Sequence, residues 1–234
     1  MSAFAPSAPT PRRGFLARVA AAAAALTAGS ALPRALAAGS TQTPVPDKWL
    51  DRITGKHRCF FDFPLHGDGS PLIHIYNYIS TYKRDYNETP ATISAVGTFY
   101  GAPGLPASMP LAWNDAMWDK YKIGALLKLT DPATKAPATR NMFFRPRAGD
   151  PVLMSGAMAQ AGIESLQQMG VTFLMCNNAF MAWMGFLSGN GSKGNPAAIE
   201  REIRANLLPG VITVPAMVIA IEKAQGRGIA YNRQ

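Results

Sequence analysis

Acidic side chains, histidine and cysteine are all in short supply: 14 Asp and Glu face 23 Lys and Arg, with three histidines and two cysteines in 234 residues. No P-loop, G-x-G-x-x-G or G-x-S-x-G motif occurs, and no cysteine pair has zinc-site spacing. Nucleotide-binding and common hydrolase chemistries therefore lack their signatures, and no cofactor is expected. Basic residues are scattered (Lys56, Arg58, Lys83, Arg84, Arg201, Arg204, Lys223, Arg227) rather than gathered into a stripe, so no nucleic-acid partner is expected. No internal repeat is visible.

Part of the positive charge belongs to the first 37 residues. Arg12-Arg13-Gly14-Phe15-Leu16 is a twin-arginine pattern, followed by an alanine-rich segment from Val19 to Ala28 and the small-x-small set Ala35-Leu36-Ala37. That order is the order of an export signal, and the paired arginines point to the Tat route. Residues 1–37 are expected to be a Tat signal peptide, cleaved after Ala37 or Ala38, giving a periplasmic or secreted product. The plainer readings are an uncleaved anchor or an alanine-rich helix. Against them, the apolar stretch is short for a span, and Ser30, Pro33 and Arg34 interrupt its continuation. Arg12, Arg13, Arg18 and Arg34 lie in the segment, so its removal lowers the net charge from +9 to +5. No later segment reaches the length of a membrane span, and no stable membrane insertion is expected after cleavage.

Beyond a loosely ordered lead-in at 38–55, residues 56–234 read as one α/β domain. Strands are predicted at 57–63, 91–100, 171–176, 211–214 and 229–231, from runs of β-branched and aromatic residues bounded by Gly and Pro. Helices are predicted at 72–82 behind a Ser70-Pro71 start, at 113–129, at 155–169, at 179–187, at 196–207 and at 216–224. Residues 130–150 are rich in Pro and Gly and read as a long loop, part of an insertion near 105–150. Strands alternating with helices predict a three-layer α/β/α domain with a mostly parallel sheet.

The most chemically suggestive stretch is Gly170-Val171-Thr172-Phe173-Leu174-Met175-Cys176-Asn177-Asn178. An apolar strand ends at a cysteine, and Asn177 or Asn178 is placed to cap the next helix. The sulfur of Cys176 would then lie at a strand's carboxyl end beside a helix N-terminus, where unpaired N–H groups favour a thiolate. Cys59 sits in another strand, and its pairing with Cys176 is left open.

Gly170-Val171-x-Phe173-x-x-Cys176-x-Asn178, Leu207-Leu208-Pro209-Gly210-Val211, Val214-Pro215 and Gly228-x-Ala230-Tyr231 together resemble the DsrE/DsrF-like sulfur-relay family. The similarity covers residues 151–234 well and 57–104 in outline; the segment 105–150 has no counterpart. The resemblance implies a flavodoxin-like fold that commonly forms homo-oligomers. It further implies a cysteine, here Cys176, that carries sulfane sulfur as a persulfide. Its partners would be a sulfur donor or acceptor protein, or small sulfur species. A carrier or binding protein is expected rather than a multiple-turnover enzyme.

His66 and Asp68, in the Gly-rich loop after the first strand, are possible accessories at the edge where open α/β sheets bind ligands; Asn178 is a third. The plainer reading of each is a solvated loop or cap residue. Met175, Met181 and Met184 surround Cys176 in sequence, so a periplasmic copper binder is one alternative. Methionines at such spacing more often fill a core. Another alternative is a non-catalytic oligomer with an inert Cys176, its interface made by residues 105–150.

Overall fold

A computed structural model describes residues 47–189 and 194–234. The expected signal peptide and residues 38–46 lie outside the described residues. Five strands form one parallel sheet: β1 (His57–Asp62), β2 (Ile93–Phe99), β3 (Thr172–Cys176), β4 (Ile212–Val214) and β5 (Ala230–Arg233), in the order β4-β3-β2-β1-β5. β2 and β3 are buried along their whole length, which is why their sequences run almost unbroken in apolar residues.

The register aligns Cys59 with Ala95, Gly97 with Phe173 and Met175 with Thr213. Side chains alternate between two cores. Cys59, Phe61, Ala95, Phe99, Phe173 and Met175 face the larger one. Phe60, Val96, Leu174, Cys176 and Val214 face the smaller.

The larger core is covered by α1 (Ser70–Asp85), α2 (Asp115–Lys120), α3 (Ile123–Leu126), α4 (Ile163–Gln168), α5 (Asn177–Gly189) and α6 (Pro196–Ala205). The smaller core is closed by α7 (Met217–Gly226) and by Trp49, Leu50 and Ile53. Chain direction explains this division. From β1 to β4 the chain steps one way across the sheet, with its connections on one face. β5 returns to the far side of β1, and a right-handed crossover in that direction puts α7 on the opposite face. The result is a three-layer α/β/α, flavodoxin-like fold.

Three local expectations need correction. The lead-in is anchored from Lys48 onward: a 3₁₀ turn at Lys48–Arg52 buries Trp49 and Leu50, because the face covered by α7 alone has room for them. The predicted helix 113–129 is two helices, broken at Lys122, whose φ is +54°. The break lets Gly124 meet the backbone of Ala138, where a Cβ would lie 2.2 Å from the Ala138 oxygen. The predicted helix 155–169 begins as a 3₁₀ turn (Gly156–Ala161) and becomes α-helical only at Ile163, whose N–H is drawn to Phe143 O at 2.9 Å.

A smaller difference concerns the start of α1. Gly69, at φ +97°, takes the cap position expected of Ser70; a side chain there would strike the Met154 sulfur.

The 105–150 segment is built into the larger core. Trp113, Trp118, Met142 and Phe143 are fully buried, and Trp113 meets Trp183 of α5 edge-on at 5.6 Å. Asn141 organises the segment: its amide nitrogen donates to Leu111 O and Trp113 O, both at 2.9 Å, while its oxygen accepts from Phe143 N at 3.1 Å. Leu208 N donates to Ala112 O at 2.8 Å, joining the segment to the chain leading into β4. Trp113, Trp118 and Phe143 are thus used inside the chain.

Candidate functional site

Cys176 is the last residue of β3, and α5 starts at the next residue without an intervening loop. Strand alternation turns its side chain, like that of Leu174, to the smaller core, beneath the start of α7. Sγ accepts the backbone N–H of Met217, the first residue of α7, at 3.3 Å. Asn178 N donates to Pro215 O at 3.3 Å, so the starts of α5 and α7 are fastened together around the sulfur. Cys176 is 6% exposed.

The neighbouring asparagines serve differently from the expected cap. Asn177 is already helical, and its Oδ1 accepts from Arg204 Nη2 of α6 at 2.6 Å. Arg204 also donates to the buried Glu200 at 2.9 Å and lies 4.5 Å over the Phe180 ring. Asn178 is exposed. The donor that reaches the sulfur therefore comes from α7, 41 residues along the chain, rather than from the helix that follows Asn178.

His66 and Asp68 do meet each other, with Nδ1 3.5 Å from the carboxylate and accepting the Asp68 N–H at 3.0 Å. Accepting at Nδ1 requires the ring proton on Nε2, which is buried without a partner. The ring is buried against Phe143, 5.3 Å between centroids, and burial lowers the His66 pKa below 6.5 while Asp68 opposes the shift. Phe143 belongs to the larger core and Cys176 to the smaller, so the sheet separates this pair from the sulfur.

Met175 and Met184 likewise pack in the larger core, and Met181 rests on its margin. They are core filling, not companions of Cys176. Among the described residues no group of three or more His, Cys, Asp or Glu side chains could hold a metal ion. Cys59 and Cys176 are both free. They face opposite sides of the sheet on strands separated by β2, which excludes a bond between them. Burial raises the Cys59 thiol to about 11.

One polar cluster at the same sheet edge has no counterpart among the expected site residues. Asp62, at the end of β1, is 1% exposed and accepts from Tyr100 at 2.6 Å, Tyr231 at 2.7 Å and Arg233 at 2.5 Å. Arg233 also donates to the Tyr100 oxygen at 2.8 Å. Burial and the Asp62 carboxylate both raise the Tyr100 pKa. The signal was a lone carboxylate in the apolar run Cys59-Phe60-Phe61-Asp62-Phe63.

No family model, curated protein or solved structure matches the chain. Among the described residues no helix is long and apolar enough to cross a membrane.

Proposed function

We propose that the protein is an exported sulfur carrier that holds sulfane sulfur on Cys176. The observation that carries this reading is the N–H of Met217 directed at Sγ from the start of α7, at the carboxyl edge of a parallel sheet. A helix start offers donors to a sulfur anion, whether thiolate or terminal persulfide. The resemblance of its motifs to those of the DsrE/DsrF-like family supports the same assignment, and the twin-arginine segment supports export to the periplasm or medium. With thiosulfate as donor, the Cys176 thiolate attacks the outer sulfur. A new S–S bond forms, the old one breaks, and sulfite leaves with the bonding pair. Val218 and Ile219, 71% and 47% exposed on the first turn of α7, give a partner or second copy an apolar landing beside the sulfur.

The burial of Cys176 favours one competitor, an oligomeric binding protein in which the thiol is inert. Intact mass after thiosulfate or polysulfide treatment separates the two. The carrier gains the mass of one sulfur atom, and Cys176→Ala does not. A wild-type protein that gains nothing sinks the carrier reading.

A further inference from the structure

The route of the chain leaves part of the sheet open. α1 crosses from β1 to β2 over the larger core, whereas β5 is reached over the other face through α7, and all four β5 residues are exposed. Between the flank of α1 and β5 lies a cleft of about 430 Å³, within the roughly 300–1,000 Å³ of small-molecule sites.

Phe61 and Asn232, paired in register, belong to its sheet side. Tyr78, Tyr82 and Tyr86 follow one another at single-turn intervals along α1 and its C-terminal cap. The rings are held in place. Tyr78 meets Tyr82 edge-on at 5.0 Å, and Tyr86 meets Tyr82 at 5.2 Å. His57 stacks on Tyr82 at 4.1 Å and is itself anchored by Glu88 at 2.9 Å. Asn77, Thr81 and His74 add an amide, a hydroxyl and an imidazole, and no Lys, Arg, Asp or Glu lines the cleft.

We infer that this cleft is a binding site for a neutral saccharide. Pyranose rings present apolar C–H faces that lie against aromatic rings, and hydroxyl edges that bond to amides and phenols. A charged ligand would be desolvated here with no Lys, Arg, Asp or Glu side chain to meet it. The site is remote in sequence from Cys176 and independent of the sulfur reading.

Isothermal titration of the full chain with cellobiose, maltose and N,N′-diacetylchitobiose tests it. Saturable binding of at least one, with Kd on the order of 1 mM, is expected, weakened at least about tenfold by Tyr86→Ala and by Asn232→Ala. Both residues are exposed, and thermal melts check that the variants remain folded. Cys176→Ala should bind as wild type does, so loss of the carrier function leaves this result standing. Three outcomes would overturn the inference: no saturable binding of any disaccharide, affinity undiminished from wild type in both cleft variants, or saturable binding of p-nitrophenol alone.

Discussion

The guanidinium of Arg233 donates to Asp62 at 2.5 Å across the join between the last strand and the first. Asp62 is 1% exposed and has two phenols as further donors, so its charge is compensated only while β5 is in place. The cluster therefore acts as a clasp on a four-residue edge strand that pairs with one neighbour alone.

Removing the clasp should loosen the C-terminus. Arg233→Ala leaves a buried carboxylate with two neutral donors and is expected to cost about 1–3 kcal/mol, discounted because the arginine is half exposed. Tyr231→Phe removes one hydrogen bond and should cost about 1 kcal/mol. Urea denaturation gives both values. Two variants as stable as wild type would show that β5 is held by its backbone pairing instead.

His66 should make the fold acid-sensitive. Its folded pKa lies below the ordinary 6.5 because burial disfavours the imidazolium. Above pH 6.5 the ring is neutral whether folded or unfolded, and stability is unaffected. As pH falls through 6.5 the unfolded chain takes up a proton that the folded one refuses. Stability then drops by up to about 1.4 kcal/mol per pH unit until the folded pKa is reached. His66→Gln should flatten that part of the profile. The surface carboxylates, such as Glu88 held near about 2 by Thr92, His57 and Lys56, titrate alike in both proteins. Thermal melts of the two proteins between about pH 7.5 and about pH 5 supply the comparison. Parallel profiles would contradict the assignment.

Asn141 should be among the most sensitive positions of the insertion. Asn141→Ala strands the Leu111 and Trp113 carbonyls and the Phe143 N–H in a dry interior, an expected cost of about 2–4 kcal/mol. Asp115→Ala removes only the bond to Asn141 N at 2.9 Å, from an exposed residue, and should cost about 1 kcal/mol or less. Chemical denaturation ranks the two. A tolerant Asn141→Ala would mean that the segment is held by its buried tryptophans and phenylalanine alone.

Elements whose signals are local were legible in the sequence. The apolar runs of β1, β2 and β3 marked buried parallel strands, and Gly170, at φ +93°, marked the turn out of α4. Features made by distant residues were hidden. Lys122 breaks a helical pattern without being glycine or proline, because a remote backbone at Ala138 requires it. Asp62 finds its partners 38, 169 and 171 residues away, and no spacing rule reaches that far. At the candidate site, the strand-end position of Cys176 was readable, whereas its donor from α7 depends on a crossover that ordering along the chain does not specify.

The two cysteines should differ under alkylation, although each is 6% exposed. Cys59 is sealed under α1 beside Tyr78, its thiol raised to about 11, so at about pH 8 only about one molecule in a thousand carries its thiolate. Cys176 lies at the sheet edge where α5 and α7 begin. Opening the first turn of α7, whose next two residues are already exposed, suffices to uncover it. Native protein treated with iodoacetamide at about pH 8 should thus be modified at Cys176 alone, and at Cys59 only with denaturant present. Peptide mapping assigns the sites. Equal labelling of the native protein at both positions would show that the larger core opens as readily as the sheet edge, and the contrast between the two thiols would fall with it.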